Sequence, residues 1–307
     1  MVMRVTHIIV SITISALVIF IGIPSPDINR GEESQKGESN AHIIAYDILA
    51  HHGEKIYLNA KLRKGFFSLR PEIGGERLEF FVGKESKGIA LTGGNGVAVK
   101  EIAPLKAGIH IFMVRIPEYP RVSPYRAEES KGLIACWETS RPILIVKLED
   151  TVYEVGRPGS LLPIKELEMK PLRGAKEALK FLSKRFNIIY ITRKDELSLN
   201  RLRKWLSERE FPAAPVFTLG VKEESPDESR YIGEKIDEFK EQDWKAIRIG
   251  IGGSAADAEA FLEAGMRAII IADKYTDLPE GVERVEGWED ILPIMTSPQE
   301  LGRGSVR

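Results

Sequence analysis

The sequence predicts an all-β sandwich followed by a doubly wound, parallel α/β domain. Residues 41–118 consist of short alternating apolar runs that are broken by glycine, proline and asparagine at hairpin spacing, a pattern typical of a β-sandwich. From residue 142 onward, short apolar runs alternate with segments of helical periodicity, and this alternation predicts right-handed crossovers within one parallel sheet. The 307 residues are enough for two such domains.

The composition restricts the possible classes of function. A formal net charge of -1 without a basic stripe gives no reason to expect a nucleic-acid partner. The single cysteine, Cys136, excludes an intrachain disulfide and a thiolate-rich metal site, and we expect it to be a packed core residue. All five histidines lie within the first 110 residues. The C-terminal half therefore contains neither a Ser-His-Asp triad nor a histidine-zinc site.

The N-terminal segment is predicted to direct export. Residues 8–23 are almost uniformly apolar behind a start that carries Arg4, so residues 1–24 are a signal peptide or an uncleaved membrane anchor. Residues 25–40 are polar and rich in glycine, serine and glutamate, which predicts a flexible linker. Both alternatives place the folded domains outside the cytoplasm, in a protein that is either membrane-anchored or secreted.

Part of the predicted sandwich resembles the bacterial immunoglobulin-like modules of exported proteins. The resemblance depends on Phe81-Val82-Gly83 and on the strand patterns at 88–92 and 96–99. It implies an immunoglobulin-like β-sandwich over residues 41–118. Residues 119–141 contain several prolines and two charge clusters, and we expect an interdomain linker there, with one further strand possible at 133–137.

The α/β domain is assigned to residues 142–297, with a tail at 298–307. Strands are predicted at its start and at 187–192, 215–219, 247–251 and 266–272, and helices at 176–186, 195–208, 231–242, 255–264 and after Trp288. The first strand ends in Lys147-Leu148-Glu149-Asp150-Thr151. Ligands of open α/β sheets lie beyond the carboxyl ends of the strands, so we expect the chemistry of this domain there.

This first strand resembles motif I of the haloacid dehalogenase-like (HAD) phosphohydrolases, an apolar strand followed by D-x-D-x-T. In that register Lys147 stands at the position of the nucleophilic aspartate, and Glu149 at that of the acid/base aspartate, while Thr151 is retained. The resemblance implies a HAD-like, Rossmannoid sheet with strand order 5-4-1-2-3. Because residues 152–173 are few, it also implies a domain without a large cap.

Three further motifs of that family have counterparts in the expected order. Thr192 corresponds to motif II, and Lys235, with Lys240 as the alternative, to the motif III lysine. Gly252–Asp257 corresponds to motif IV, with Gly253 in place of its first aspartate and Asp257 retained. Residues 190–215 and the pattern at 252–261 look most like the lipin-type phosphatidate phosphatases.

The resemblance implies phosphate hydrolysis, but the substitutions at Lys147 and Gly253 remove residues that this reaction needs. HAD-like hydrolysis needs a carboxylate nucleophile and acidic ligands for Mg²⁺. Lys147 cannot form an aspartyl-phosphate, and Gly253 removes a second metal ligand. We therefore expect a pseudoenzyme without a metal or another cofactor, in which Lys147 pairs with Glu149 or Asp257. If any catalytic residues remain, Glu149 and Asp257 are the candidates.

The function expected from these observations is binding. The protein would bind a phosphorylated ligand, a phospholipid or a protein partner, while its N-terminal segment contacts the membrane. The residues that would hold such a phosphate or other ligand are Lys147, Thr151, Thr192, Arg193, Lys235, Gly252 and Gly253. The alternative is an active lipin-like phosphohydrolase that uses Mg²⁺ in a rearranged site. A surface module that binds nothing at this edge is the third possibility.

Overall fold

The computed structural model describes residues 39–65, 71–118, 123–155, 169–220 and 227–296. The predicted signal or anchor at 1–24, most of the linker at 25–40 and the tail at 298–307 lie outside the described residues. Within the described ranges, no helix is both long and apolar enough to cross a membrane. All of the described residues belong to one unit of the chain, 37–307.

The N-terminal region consists of two β-sheets. Its strands are β1 (Ser39–Ala45), β2 (Ile48–His51), β3 (Ile56–Lys64), β4 (Arg77–Val82), β5 (Glu85–Leu91), β6 (Val97–Ile102), β7 (Gly108–Arg115), β8 (Tyr125–Arg126) and β9 (Ser130–Trp137). The strand orders are β6-β3-β1-β8 and β2-β9-β7-β4-β5. Leu58 from the first sheet and Phe80 and Phe112 from the second share one buried core. The immunoglobulin-like assignment stays a prediction.

The boundary predicted for this region is too early. Residues 119–141 were expected to be an interdomain linker, but β9 lies inside the five-stranded sheet between β2 and β7. Its residues from Ser130 to Cys136 pair with β7. The charged residues before β9 obscured where this strand begins. The sequence analysis therefore recognised only a possible strand at 133–137, which is the second half of β9.

The C-terminal region is a doubly wound α/β domain. Its elements are β10 (Ile143–Lys147), β11 (Tyr153–Glu154), β12 (Lys170–Pro171), α1 (Ala175–Leu182), β13 (Asn187–Thr192), a 3₁₀ turn (Glu196–Ser198), α2 (Leu199–Glu208), β14 (Val216–Thr218), α3 (Glu228–Glu241), β15 (Ile247–Gly252), α4 (Ala255–Glu263), β16 (Arg267–Ile271), β17 (Glu283–Val285) and α5 (Trp288–Met295). Helices α1, α2 and α5 cover one face of the sheet, and α3 and α4 cover the other.

The six-stranded sheet has the order β14-β13-β10-β15-β16-β17, and every pairing in it is parallel. With β10 as the first strand, the predicted order 5-4-1-2-3 is confirmed, and β17 is an additional edge strand. All five residues of β10 and all six of β13 are buried. Continuous apolar runs form these two strands because helices cover both faces of the sheet.

The two regions pack directly on each other. Asp47, which follows β1, is buried and accepts hydrogen bonds from the backbone N–H of Leu133 (2.6 Å) and of Val216 (2.7 Å). Arg203 of α2 donates from Nε to the same carboxylate at 3.1 Å. Burial raises the pKa of Asp47, and the charge of Arg203 offsets that rise only in part. Nearby, His51 stacks on Trp244 with the ring centroids 4.0 Å apart.

The prediction that the domain lacks a large cap falls mainly on residues 156–168, which lie outside the described residues. On either side of them, β11 and β12 form a short antiparallel ribbon. Tyr153 pairs with Pro171, and Glu154 with Lys170.

Candidate functional site

Three neighbouring strands end at the same edge of the parallel sheet. Lys147 at the end of β10 is in register with Ile191 of β13, one residue before Thr192. Val146 is in register with Ile251 of β15, one residue before Gly252. The predicted meeting of the motif I, II and IV positions at this edge is therefore confirmed.

Lys147 lies at the centre of a buried ion cluster. Its side chain is only 4% exposed, and its Nζ donates to Oδ1 of Asp257 at 2.7 Å. Oε1 of Glu228 lies 2.6 Å from the same Nζ, off the direction of a hydrogen bond. Burial alone would lower the pKa of Lys147, but the charges of Asp257 and Glu228 outweigh burial and leave this pKa raised. The predicted pairing of Lys147 with Asp257 is confirmed, and the amine is held as an ammonium ion.

Asp257 is also part of the N-terminal cap of α4. Its Oδ2 accepts hydrogen bonds from the backbone N–H of Gly253 (2.8 Å) and of Ser254 (3.0 Å). Ser254 in turn accepts from the N–H of Asp257 at 3.2 Å, which completes a capping box. The N–H group of Gly253, which the sequence predicted as part of a phosphate site, is therefore bonded to Asp257 instead.

The two glycines allow close packing in the loop after β15. A Cβ on Gly252 would lie 2.5 Å from Cβ of Asp257, and a Cβ on Gly253 would lie 2.5 Å from the backbone oxygen of Asp150. An aspartate therefore cannot replace Gly253 unless the backbone around Asp150 moves. The close approach of the Asp150 backbone therefore requires a glycine at position 253.

Glu149 faces away from Lys147. It is buried, and its Oε1 accepts from the hydroxyl groups of Tyr153 (2.8 Å) and Thr192 (2.5 Å). Its Oε2 accepts from the backbone N–H of Arg193 at 3.3 Å. Burial, followed by the charge of Glu149, raises the pKa of Tyr153. Lys147 makes no ion pair with Glu149 in the described part of the chain, so of the two predicted alternatives it is the pair with Asp257 that forms.

Thr151 and Thr192 form hydrogen bonds within the protein. Thr151 is buried, donates from Oγ1 to the backbone oxygen of Glu149 at 3.2 Å, and accepts from Nε1 of Trp288 at 2.6 Å through its own backbone oxygen. Thr192 is also buried, and its Oγ1 accepts from the N–H of Lys194 at 3.2 Å. Both hydroxyl groups thereby fix the loops at this edge.

The basic residues predicted for the site are only partly brought together. Arg193 is 44% exposed, and its Nη1 lies 3.7 Å from Oε2 of Glu228. Lys235 on α3 pairs with Glu238 of the same helix, and Lys240, the alternative, donates to the backbone oxygen of Ala264 at 2.8 Å. Within the described residues, neither lysine forms a hydrogen bond or an ion pair with the ion cluster, so the described part of α3 offers no counterpart of the motif III lysine there.

Helix α3 contributes Glu228 instead, a residue that the sequence analysis missed. Glu228 lies in the first turn of α3, directly after Asp227, whose side chain accepts from the N–H of Arg230 and caps the helix. Acidic residues are favoured there by the helix dipole alone, so the position carries no distinct sequence signal. The only available hint was the pair Asp227-Glu228, a cap residue followed by a glutamate. It lies at the start of the helix that precedes the motif IV strand.

The residues at this edge do not fit a Mg²⁺ ion. A divalent ion needs oxygen ligands that are free to converge on it. Here the ammonium of Lys147 lies within 2.7 Å of both Asp257 and Glu228, while Glu149 is bonded to two hydroxyl groups. Within the described ranges, no group of three or more His, Cys, Asp or Glu side chains is arranged to hold a metal ion.

Among known proteins, this chain is similar only to solved structures. No family model matches the chain, and no curated protein matches it. A D,D-heptose bisphosphate phosphatase from B. bronchiseptica, complexed with magnesium and phosphate, is 17% identical, with a TM-score of 0.39, over 50% of this chain and 99% of its own. A HAD-superfamily hydrolase of subfamily IA from Geobacter sulfurreducens is 12% identical, with a TM-score of 0.35, over 51% and 97%.

A CARDB domain from Pyrococcus furiosus is 10% identical, with a TM-score of 0.21, over 32% of this chain and 94% of its own. At TM-scores this low, none of these likenesses supports an inference about function. The parallel sheet and its strand order are observations on this chain itself and do not depend on them.

Proposed function

We propose that this chain is a non-catalytic binding protein with a degenerate HAD-like domain of the lipin-like subgroup. The observation that carries the proposal is the ion cluster at the end of β10, where Nζ of Lys147 lies 2.7 Å from Asp257 and 2.6 Å from Glu228. In the motif register, this ammonium stands where a phosphohydrolase of that type has its nucleophilic carboxylate.

The other acidic groups at this edge do not replace the missing nucleophile. Glu149 accepts three hydrogen bonds from the protein, and Asp257 accepts two from backbone N–H groups in addition to its pair with Lys147. Asp150 is exposed, and its Oδ1 accepts from the N–H of Val155 at 3.0 Å. Glu149 and Asp257 are thus saturated with hydrogen bonds, which makes them poor nucleophiles and poor metal ligands and supports a structural role for the cluster.

Binding at this edge would then depend on its outer rim. Arg193 is the exposed cation beside the cluster, and Lys194 follows it in a partly exposed position. We propose that these two residues contact a phosphorylated ligand or a phospholipid headgroup. The N-terminal segment at 1–24 would place the protein at the outer face of a membrane or release it from the cell. A protein partner at the same rim is the other possible outcome of a binding test.

The first test is an assay for hydrolysis. We expect the wild-type protein to show no Mg²⁺-dependent turnover of p-nitrophenyl phosphate or of phosphatidate, because no free carboxylate lies at the nucleophile position. The same reactions with a chelator in place of Mg²⁺ give the background rate. Turnover that requires the metal and disappears in Asp257→Asn would reject the non-catalytic proposal and support an active lipin-like phosphohydrolase.

A second test asks whether the lysine is what excludes a metal. Lys147→Asp places three carboxylates, those of positions 147, 228 and 257, close together, so we expect Mg²⁺ or Mn²⁺ to raise the melting temperature of this variant by binding its folded state. The wild type should show no such rise. Lys147→Asn is the matched control, because it has the same shape without the added charge. An equal metal response in all three proteins would contradict the role given to Lys147.

A further inference from the structure

A cavity of about 560 Å³ lies between the two regions of the chain. One wall is the outer face of β3 with Tyr57 and Asn59, and the opposite wall is formed by Phe217 and Thr218 of β14 and by Lys235 of α3. Ligand sites in proteins are typically of this size and often lie where two folded units meet. No residue of the Lys147 cluster lines this cavity.

The charged groups around the cavity are largely neutralised by protein partners. Lys235 pairs with Glu238, and Nζ of Lys55 lies 2.6 Å from Oε1 of Glu101. Asp47 forms an ion pair with Arg203, in which Oδ1 of Asp47 lies 2.9 Å from Nη2 of Arg203. Glu54 lies exposed at the rim and adds a negative charge. Among the described residues that line the cavity, both lysines are thus paired with a glutamate, and the cavity favours an uncharged ligand over a phosphate or another anion.

Polar groups on both walls have unused hydrogen-bonding capacity. The side-chain amides of Asn59 and Gln242 and the hydroxyl group of Thr218 form no hydrogen bond with any described residue. An amide side chain offers both donors and an acceptor, and a threonine hydroxyl group offers both as well. This combination suits the hydroxyl groups of a ligand, because each of them also donates and accepts.

Two aromatic rings provide an apolar surface beside these polar groups. Tyr57 is 51% exposed although it lies in the middle of a folded region. Phe217 is partly exposed, and its ring packs edge-on against Phe239 with the centroids 5.0 Å apart. Tyrosine combines a flat apolar face with a polar tip, so it can pack against a ring that carries both C–H and O–H groups.

We infer that this cavity binds a small, neutral, polyhydroxylated molecule, such as one or two units of a saccharide. Asn59 and Thr218 would hydrogen-bond its hydroxyl groups from opposite walls, and Tyr57 would pack on the face of a sugar ring. The inference is independent of the function proposed for the Lys147 edge, since it depends on other residues and on a ligand without charge.

The test is a calorimetric titration of the full chain with glucose, N-acetylglucosamine, maltotriose and cellotriose, together with inorganic phosphate as the charged probe. Trp244, one of the four tryptophans of the chain, lines the cavity, so the intrinsic tryptophan fluorescence of the protein gives a second readout. We expect saturable binding of at least one saccharide and none of phosphate. Tyr57→Ala and Asn59→Val should each weaken that binding about tenfold, as expected when a contact or a hydrogen bond is lost.

Tyr275→Ala is the matched control, because Tyr275 is also an exposed tyrosine, at 82%, and does not line the cavity. It should leave saccharide binding unchanged. Thr218→Val probes the opposite wall if a substitution in β3 impairs folding. The inference is overturned if no saccharide in the panel binds, if phosphate is the only probe that binds, or if Tyr275→Ala weakens binding as much as Tyr57→Ala.

Discussion

Replacement of Lys147 by methionine is expected to lower the free energy of unfolding by about 3–5 kcal/mol, the range observed when one partner of a buried ion pair is removed. Methionine keeps most of the aliphatic volume but leaves Asp257, which is fully buried, and Glu228 close together without the ammonium that they share. Urea-induced unfolding of both proteins at pH 7 measures the difference.

The matched control for this substitution is Lys235→Met. Lys235 also pairs with a glutamate, Glu238, but the side chain of this glutamate is 50% exposed and solvent screens the pair, so we expect a loss of about 0–1 kcal/mol. Glu228→Gln should also cost less than Lys147→Met, because Asp257 continues to neutralise the lysine. Equal effects of the two lysine substitutions would mean that the buried cluster contributes no more than a surface pair.

The pH dependence gives an independent check on the same cluster. Because the folded-state pKa of Lys147 is raised above the ordinary value of 10.5, its contribution to stability is fully present below pH 10.5 and is lost as the pH rises through the folded-state value. The difference in unfolding free energy between the wild type and Lys147→Met should therefore be constant near neutral pH and narrow above pH 10.5.

Local sequence patterns were sufficient for five of the six strands of the parallel sheet. The run before Lys147 and the run at 188–191 are continuously apolar because their strands are buried on both faces, and this signal is strong. The strand order followed from the HAD-like resemblance rather than from periodicity. Once the order is right, Lys147, Thr192 and Gly252 must meet, since the ends of neighbouring parallel strands share one edge.

Local sequence patterns could not predict the interactions between segments that are distant in the chain. Glu228 looks like any acidic residue in the first turn of a helix, and only the tertiary fold brings it to Lys147, 81 positions away along the chain. Strand β17 has three residues, too few for a periodic signal. Asp47 looks like a loop residue between two strands, and nothing in its neighbourhood indicates that Arg203 and the N–H of Val216 converge on it.

Asp47→Ala is expected to destabilise the protein by about 3–5 kcal/mol, because the aspartate is the buried hydrogen-bond acceptor that joins the two regions. Without it, the N–H groups of Leu133 and Val216 and the guanidinium of Arg203 lose their common partner. Urea-induced unfolding monitored by tryptophan fluorescence measures the loss. Glu101→Ala is the matched control, since Glu101 also forms an ion pair in the N-terminal β-sheet region but at the surface, and its loss should have a far smaller effect.

Asp47→Asn separates the charge of this residue from its hydrogen bonds. The amide oxygen can still accept from Leu133 or Val216, so we expect a smaller loss than in Asp47→Ala. Because burial raises the folded-state pKa of Asp47 above the ordinary 3.8, the aspartate contributes most to stability below pH 3.8, and this contribution falls as the pH rises through the folded-state value. An asparagine cannot titrate. The free energy of unfolding of Asp47→Asn, relative to that of the wild type, should therefore rise between pH 3.8 and the folded-state pKa of Asp47, and level off above it. A relative stability that stays constant across the interval would show that Asp47 has the same pKa in the folded and unfolded chains, and that its burial carries no electrostatic cost.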